Sequence, residues 1–456
     1  MVEGRTHKPV IQMDRCHSCD ICIRGCPAEL IPEYREEEKT LRGALYQGKV
    51  RTSREKVSLP PCQQACPIHQ DARGYVALVA KGKFKEALEL IREVNPLPAV
   101  CGFICHHPCE EACLREGVDD PVPIRLLKRF VTEYGREKKW GQPKKRKREK
   151  VLVIGSGPAG LAAANDLRLL GYGVTILEKL SVLGGMLAVG IPEFRLPRDI
   201  LKAEIDGIRA LGVEMKTRHS FRFDGNRKTL QKLGFQAAFV SIGAHRSQKL
   251  AIPGEGLSGI FPGVGFLREV NLGVRTTVGK KVAVIGGGNV AIDAARSALR
   301  LGAKKVEVYY RRSKMEMPAI PEEVEEAIHE GVRILFLSSP IQFIGKGGKV
   351  TEIKCVRMEL AEPDQSGRRK SVPIKGSDFK VHADTIISAI GQRIDRRVLR
   401  GLDVNPGGTL RIDLETGQTS LKGFFAGGDV VTGPGYAIDA IAAGKRGAEA
   451  IDRYLS

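Results

Sequence analysis

The chain reads Val151-Leu-Val-Ile-Gly155-Ser-Gly157-Pro158-Ala159-Gly160-Leu161, an apolar run that leads directly into a glycine-rich turn. A helical Ala-rich stretch follows, and Gly173-Val-Thr-Ile-Leu-Glu178 predicts a second strand that ends in a carboxylate. In such a strand–turn–helix–strand unit, the turn binds a pyrophosphate and the acidic residue binds a ribose hydroxyl. The Pro-Ala insertion is typical of the FAD form. The predicted FAD-binding residues here are Gly155, Gly157, Pro158, Ala159, Gly160 and Glu178.

A second turn of this kind lies in Val282-Ala-Val-Ile-Gly286-Gly287-Gly288-Asn289-Val290-Ala291. The next predicted strand, Val306-Glu-Val-Tyr-Tyr310-Arg311-Arg312, ends in two guanidinium groups instead of a carboxylate. Guanidinium groups suit a 2′-phosphate, whereas a carboxylate suits the 2′-hydroxyl of NAD. NADPH is therefore predicted in preference to NADH, unless the arginines are ordinary surface charges. The predicted nucleotide-binding residues are Gly286, Gly287, Gly288, Asn289, Val290, Arg311 and Arg312.

Ten of the eleven cysteines precede the first turn, between Cys16 and Cys113. The first four have the spacing C-x2-C-x2-C-x3-C-P, which is the bacterial ferredoxin pattern for a 4Fe–4S cluster. A structural zinc site, the main alternative, uses paired C-x-x-C knuckles. Disulfides are disfavoured by the odd count and by the clustered spacing. The predicted iron ligands in this run are Cys16, Cys19, Cys22 and Cys26.

A second cysteine group follows in Pro61-Cys62-Gln-Gln-Ala-Cys66-Pro67 and Cys101-Gly-Phe-Ile-Cys105-His-His-Pro-Cys109-Glu-Glu-Ala-Cys113. The stretch between them, residues 72–94, has apolar residues at helical period. Helices are therefore expected to bring the cysteine-bearing loops together. The predicted iron ligands in this group are Cys62, Cys66, Cys105, Cys109 and Cys113.

From Leu59 onwards, these motifs resemble the small subunit of glutamate synthase and its relatives. These relatives are the amino-terminal half of dihydropyrimidine dehydrogenase and the flavin subunits of NADH-dependent ferredoxin:NADP oxidoreductases. The resemblance implies an α/β flavoprotein with two dinucleotide-binding (Rossmann-like) domains and an amino-terminal α-helical iron–sulfur domain. It implies FAD, NADPH and two 4Fe–4S clusters as cofactors.

The resemblance also implies roles for residues outside the two turns. Gly185, Met186 and Arg195 lie in the family's flavin-contacting loop, and Gly428 and Asp429 lie at the ribityl chain. The helix from Ala437 directs its positive end at the isoalloxazine, where it stabilises negative charge. The flavin domain is expected to resume near Asp384, which adds three more cofactor-binding residues, Ala389, Ile390 and Gly391.

The sequence departs from the family at two places that concern iron. The family places a cysteine pair where this chain has Arg54 and Val57, and it places a polar ligand where this chain has Lys128. An ammonium group cannot coordinate iron, so two ligand partitions stay open. In one, the amino-terminal run holds its own cluster and Cys66, Cys105, Cys109 and Cys113 hold another, leaving Cys62 and Cys101 doubtful. In the other, the run substitutes for the missing pair and ligands are shared.

Four segments are expected, and their bounds follow from these motifs. They are a ferredoxin-like segment (1–50), a helical iron–sulfur domain (51–145), an FAD domain (150–275 and 385–456) and an inserted NAD(P)H domain (279–384).

The net charge of the chain is +20, and residues 136–150 alone hold nine basic and two acidic residues. The chain has no nucleic-acid recognition motif, so this stretch is expected to be a solvated linker or a docking site for an acidic protein partner. No apolar run is long enough for a membrane span or a signal peptide, which predicts a cytoplasmic protein.

Electron transfer is the predicted function, because flavins accept hydride pairs whereas iron–sulfur clusters carry single electrons. The expected partner is a larger catalytic or electron-transfer subunit, or a ferredoxin. The alternatives are the small subunit of NADPH-dependent glutamate synthase and a stand-alone NADPH oxidase or disulfide reductase. Disulfide reductases carry a cysteine pair beside the flavin, whereas here Cys355 is the one cysteine beyond residue 113 and is expected to be a buried packing residue.

Overall fold

A computed structural model describes residues 59–135, 141–274, 277–363 and 367–456. The predicted segment 1–50, with Cys16, Cys19, Cys22 and Cys26, therefore lies outside the described residues. The same holds for Arg54 and Val57, where the family has its cysteine pair.

The first described domain is a set of short helices. Prolines occupy the first turn of the helices that carry or precede cysteines, where the missing N–H is not needed. Its core packs Tyr75, Leu88, Ile91 and Val131, all buried, and the Tyr75 hydroxyl donates to the carbonyl of Ile124 at 2.8 Å. The helices are α1 (Pro61–Ala65), α2 (Ala72–Ala80), α3 (Phe84–Arg92), α4 (Pro98–Ile104), α5 (Pro108–Glu111), a 3-10 turn (Leu114–Gly117) and α6 (Ile124–Tyr134).

The first nucleotide-type domain is a parallel sheet with the strand order β16-β4-β1-β2-β3. Its central strand β1 is buried along four of its five residues, as expected for a strand covered on both faces. The strands are β1 (Lys150–Ile154), β2 (Gly173–Leu177), β3 (Glu214–Lys216), β4 (Ala237–Val240) and β16 (Phe424–Ala426). The helices are α7 (Pro158–Leu169), α8 (Met186–Val189), α9 (Arg198–Ala210), α10 (Arg227–Lys232), α14 (Asp429–Thr432) and α15 (Ala437–Leu455).

The second nucleotide-type domain repeats this sheet, with the strand order β6-β14-β7-β8-β9. In both sheets the strand before the glycine turn is central, which gives the same crevice at the carboxyl ends of the strands. The strands are β6 (Ile260–Pro262), β7 (Lys281–Ile285), β8 (Lys305–Tyr309), β9 (Arg333–Leu335) and β14 (Thr385–Ser388). The helices are α11 (Gly263–Asn271), α12 (Asn289–Arg300), a 3-10 turn (Lys314–Glu316) and α13 (Pro321–His329).

One strand corrects the domain bounds expected from the sequence. The sequence assigns residues 385–456 to the FAD domain, but β14 pairs in parallel with β6 and β7 in the second sheet. Residues 260–271, also expected in the FAD domain, form β6 and α11 of the second domain. The reason is that β14 is a short strand whose four residues are all buried, and such a strand fits the interior of either sheet.

A smaller antiparallel sheet extends from the second domain, in the order β10-β11-β12 with β13 also on β11. Cys355 lies in its long strand β11, and it is buried in the core beside Tyr309 and Phe343. This confirms that Cys355 is a packing residue. The remaining elements are β5 (Arg246–Ser247), β10 (Ser338–Lys346), β11 (Lys349–Pro363), β12 (Arg369–Pro373), β13 (Phe379–His382), β15 (Gln392–Arg393) and a 3-10 turn (Arg396–Val398).

A buried carboxylate joins the helical domain to the FAD domain. The two oxygens of Glu204, on α9, accept hydrogen bonds from the backbone N–H groups of Ala99 and Val100 at 2.6 and 2.9 Å. These N–H groups belong to the first turn of α4, where no intrahelical partner exists. Glu204 therefore caps a helix of the neighbouring domain. Among the described residues, no helix is both long and apolar enough to cross a membrane.

We expect Glu204→Ala to lower the free energy of unfolding by about 2–4 kcal/mol, because two buried N–H groups lose their acceptor. Urea denaturation followed by circular dichroism measures the change. An Ala variant as stable as the parent protein would contradict this role of Glu204.

Glu204→Gln is the matched control, since it keeps one acceptor and does not titrate. Burial raises the pKa of Glu204 to about 7, above the ordinary value of 4.5. The contribution of this group to stability is therefore complete below pH 4.5 and is lost as pH rises through about 7. The parent protein should lose more stability than the Gln variant between these pH values.

Candidate functional site

A cavity of about 540 Å³ opens at the carboxyl ends of the first sheet. It lies in the crevice in which nucleotides bind to such sheets. The turn after β1 lines it from Gly155 to Ala159, and Asn289 and Val290 of the second domain line its far side. Both predicted nucleotide sites therefore face one cavity, and in the described part of the chain its wall contains no cysteine.

The two glycine turns are built alike. Gly155 has φ +105°, and a Cβ there would lie 2.5 Å from the carbonyl oxygen of Ser241, just after β4. Gly286 has φ +143°, and a Cβ there would lie 2.3 Å from the carbonyl oxygen of Ala389, just after β14. Each turn therefore closes against the neighbouring strand end, which only glycine permits. This places Ala389, Ile390 and Gly391 beside the second glycine turn and not in the first sheet.

Glu178 is positioned by the first turn. Its carboxylate accepts from the N–H and hydroxyl groups of Ser156 at 3.0 and 2.6 Å, and from the N–H of Leu180 at 2.8 Å. Both Ser156 and Glu178 line the cavity. A carboxylate held at the end of β2 fits the ribose of a dinucleotide, so the residues present fit FAD at this end.

The other predicted flavin contacts line the same cavity. Gly185, Met186, Gly428, Asp429 and Ala437 all line it. Burial raises the pKa of Asp429 to about 6, although a hydrogen bond from the Gly435 N–H opposes this. The amino end of α15 faces the cavity through Tyr436, Ala437 and Ala440, which suits negative charge on a bound flavin.

Arg195 lines the cavity, but its guanidinium group is held by the second domain. It forms ion pairs with Asp293 at 2.9 Å and with Glu323 at 2.8 Å, and all three side chains are largely buried. The predicted flavin contact of Arg195 is thus accompanied by a role the sequence did not indicate, which is to join the two nucleotide domains. Arg296 extends this network to Glu323 at 2.9 Å.

The two arginines after β8 have different surroundings. Arg311 is exposed, whereas Arg312 is buried and its Nε donates to the carbonyl of Arg369 at 2.7 Å. Glu316 caps the following turn, since it accepts from the N–H and hydroxyl groups of Ser313. Of the predicted pair, Arg311 is therefore the exposed side chain, and Arg312 is engaged within the protein.

His245 lines the cavity, although no sequence motif predicts it as a site residue. Its Nδ1 lies 3.2 Å from the guanidinium group of Arg268, so it accepts a hydrogen bond. Burial and the Arg268 charge lower the pKa of His245 to about 4, which keeps the ring neutral at physiological pH.

The described cysteines form two neighbourhoods. Burial raises the pKa of Cys109 most, and the thiols of Cys105 and Cys66 raise it further. All three thiols lie near the ammonium group of Lys128. Burial raises the pKa of Cys62 most, and here Cys113 is the thiol that raises it further. Cys66, just after α1, and Cys101, on α4, are buried, whereas Cys62, Cys105, Cys109 and Cys113 are half-buried.

This donor set fits an iron–sulfur cluster. The described cysteines are all free, and no group of three or more His, Cys, Asp or Glu side chains within the described ranges could hold a single metal ion. An iron–sulfur cluster instead spreads thiolate ligands over several irons. The buried ammonium group of Lys128, which lies near these thiols, matches the negative charge of such a cluster.

An aromatic stack links the cysteines to the cavity. The ring of His106, next to Cys105, stacks on the ring of Tyr436 with centroids 3.7 Å apart and planes at 14°. Tyr436 lines the cavity, and so does Ile104 on the other side of Cys105. The sequence shows the adjacent histidines His106 and His107, but no local pattern predicts that His106 contacts Tyr436, since the two residues are 330 positions apart in the chain.

Two known sequence families match this chain. Residues 149–444 match the sequence family described as pyridine nucleotide-disulphide oxidoreductase. The chain belongs to this family. Residues 56–140 match dihydropyrimidine dehydrogenase domain II, 4Fe-4S cluster. Both matches confirm the predicted Rossmann-like flavoprotein fold with an amino-terminal iron–sulfur domain, and its class as an FAD, NADP(H) and iron–sulfur oxidoreductase.

Individual relatives agree with this placement. The chain is 32% identical to the glutamate synthase (NADPH) small chain of Azospirillum brasilense over 87% of its own length and 86% of the relative. It is 44% identical to the NADP(+)-dependent formate dehydrogenase subunit beta of Moorella thermoacetica, over 87% of its own length. It spans 60% of that relative and 63% of the NADPH-Fe(3+) oxidoreductase subunit beta of Geobacter sulfurreducens.

Solved structures share the fold at low identity. Mycobacterium tuberculosis FprA in complex with NADPH superposes with a TM-score of 0.58 at 20% identity, covering 68% of this chain and 85% of FprA. Thioredoxin reductase of T. acidophilum superposes with a TM-score of 0.52 at 21% identity, covering 68% of this chain and all of the reductase.

We expect Arg311→Ala to raise the KM for NADPH about 10-fold or more, since a charge-assisted hydrogen bond contributes about 1.5–3 kcal/mol. The KM for NADH should hardly change, because NADH has no 2′-phosphate. Steady-state kinetics with both nucleotides measure the effect. Arg312→Ala is the matched comparison and should lower the melting temperature while leaving the nucleotide preference intact. An equal rise in both KM values for the Arg311 variant would exclude a phosphate contact.

Proposed function

We propose that this chain is the electron-transfer subunit of a larger oxidoreductase, passing reducing equivalents between NADPH, FAD and 4Fe–4S clusters to or from a partner. One observation carries the proposal. Ile104 lines the cavity and His106 stacks on Tyr436 of the cavity wall, so Cys105, which lies between them in the chain, adjoins the cavity. The names of the relatives, which are beta subunits and small chains of larger enzymes, support it.

The roles of the chain's own residues follow from the site. When bound, FAD takes up hydride pairs and the clusters carry single electrons. Asn289 and Val290 would hold the nicotinamide nucleotide on one side of the cavity, and Gly155, Glu178 and Asp429 would hold FAD. No side-chain acid or base is needed, because the protein supplies position and electrostatics.

The two cysteine neighbourhoods favour a shared ligand partition. Cys66, Cys105 and Cys109, with Cys101 as a fourth thiol, would surround one cluster next to the cavity. Cys62 and Cys113 would hold part of a second cluster. We propose that cysteines of the run Cys16–Cys26 complete this second site in place of the family's missing pair.

The partner would be a larger catalytic or electron-transfer subunit, or a ferredoxin, in the cytoplasm. The basic stretch 136–150 could steer an acidic partner towards this chain. A glutamate-forming partner is the second candidate, since the chain spans 86% of the glutamate synthase small chain of Azospirillum brasilense. A stand-alone disulfide reductase is less well supported, because the described cavity wall offers no thiol pair.

We expect Cys109→Ala to leave NADPH-dependent flavin bleaching intact but to abolish reduction of a one-electron acceptor such as ferredoxin. The reason is that Cys109 lies in the proposed exit route and not in the cavity wall. Stopped-flow absorbance and an acceptor assay, with iron and sulfide content, measure both steps. Cys355→Ala is the control, since it removes a buried thiol far from this route. Equal loss of bleaching and acceptor reduction in the Cys109 variant would refute the order of transfer.

We expect His106→Ala to slow cluster reduction several-fold after flavin reduction, while the rate of flavin reduction by NADPH stays unchanged. Loss of the stacked ring loosens the contact between Cys105 and the cavity wall. Freeze-quench electron paramagnetic resonance separates the two steps. His106→Phe keeps a ring that can stack and should restore the rate. An Ala variant with the parent rate would show that the stack plays no part.

A further inference from the structure

Lys128 is a buried lysine on α6 without a carboxylate partner. Its side chain is only 6% exposed. In the described part of the chain, no carboxylate lies within ion-pairing distance of its ammonium group. The ring of Tyr75 lies beside it, with the ring centroid 5.9 Å from Nζ.

The groups that face Lys128 are thiols. Charge interactions connect its ammonium group with Cys66, Cys101, Cys105 and Cys109, which come from α1, from α4 and its end, and from α5. The buried carboxylate of Glu204 also interacts with the charge of Lys128, but its two oxygens already accept hydrogen bonds from N–H groups of α4. Apart from Glu204, the strongest charge interactions of Lys128 are therefore with these four sulfur atoms.

A buried ammonium group that is not matched by negative charge is strongly destabilising. Neutral thiols would leave this cost in place, whereas a thiolate-bound cluster supplies a net negative charge. That charge grows by one when the cluster takes up one electron, with no bond or proton changing place. A fixed positive charge therefore favours the reduced form over the oxidised form, and net charge is among the factors that set cluster potentials.

We propose that Lys128 is the built-in counter-charge of the cluster held by Cys66, Cys105 and Cys109, and that it raises the reduction potential of this cluster. The proposal rests on the proposed function, which places a cluster beside the flavin cavity and reduced flavin as its electron donor. In this role, Lys128 acts through its fixed positive charge. It does not coordinate iron, which an ammonium group cannot do.

The test compares Lys128→Gln, Lys128→Met and Lys128→Arg in the full chain with all cofactors. Redox titration with dithionite, followed by electron paramagnetic resonance, measures the potential of each cluster. We expect the Gln and Met variants to show at least a tenfold lower ratio of reduced to oxidised cluster at a given ambient potential. For one electron, this corresponds to a shift of about 59 mV to more negative values. The Arg variant keeps the charge and should stay close to the parent protein.

Lys81→Gln is the matched control, because it removes one positive charge from an exposed position of the same domain. It should leave the potential unchanged. Equal shifts in the Gln, Met and Arg variants would overturn the proposal, since they would trace the effect to packing. An unchanged potential in the Gln and Met variants would overturn it directly.

Iron and sulfide analysis covers the case in which a variant fails to assemble its cluster. Loss of iron from the Gln and Met variants, with retention in the Arg variant, would support the counter-charge, because assembly would then depend on the charge. Loss from all three would overturn it. Parent protein without iron and sulfide would instead refute the proposed function, and the two failures are thereby distinguished.

Discussion

The two hydrogen bonds from the first turn of α4 to the Glu204 carboxylate fix how the iron–sulfur domain meets the flavin domain. The helix α4 starts on this carboxylate and ends at Ile104, on the wall of the cavity. A helix of seven residues is rigid and about 10 Å long. Because Cys105 follows directly, this short helix fixes the position of Cys105 beside the cavity wall. Glu204 reaches α4 from the flavin domain, so one carboxylate secures both domains of the electron path.

A second set of contacts closes the cavity from the other side. The helix α13 of the second nucleotide domain uses Glu323 to pair with Arg195 of the flavin domain and Glu322 to pair with Arg125 of the helical domain. The first pair is buried and the second is partly exposed, so the first is the stronger constraint on the interface. Two adjacent residues thus connect all three domains around one cavity. This arrangement brings the two nucleotide sites together at the carboxyl ends of two sheets with the same strand order.

Local patterns predicted most of the parts. The glycine turns, the carboxylate of Glu178 and the cysteine spacings each depend on neighbours within a few positions, so the sequence shows them directly. Strand β14 was assigned to the wrong sheet because its four residues carry no mark of their partner strands. Arg312 was paired with Arg311 because both follow β8, yet a contact with Arg369 buries one and leaves the other exposed. The ion pairs of Arg195 and the stack of His106 depend on residues about 100 and 330 positions away, which no local pattern reports.

By itself, the sequence determined the fold class, the two nucleotide units and the presence of cysteine-rich loops, because each is encoded by periodicity and spacing along the chain. The tertiary structure decided which thiols lie together, what surrounds Lys128, and that the first glycine turn and the start of α12 line one cavity beside Cys105. The physical reason is that burial and charge pairing act through space. A lysine on α6 becomes the counterpart of thiols on α1, α4 and α5 only once these helices pack around it.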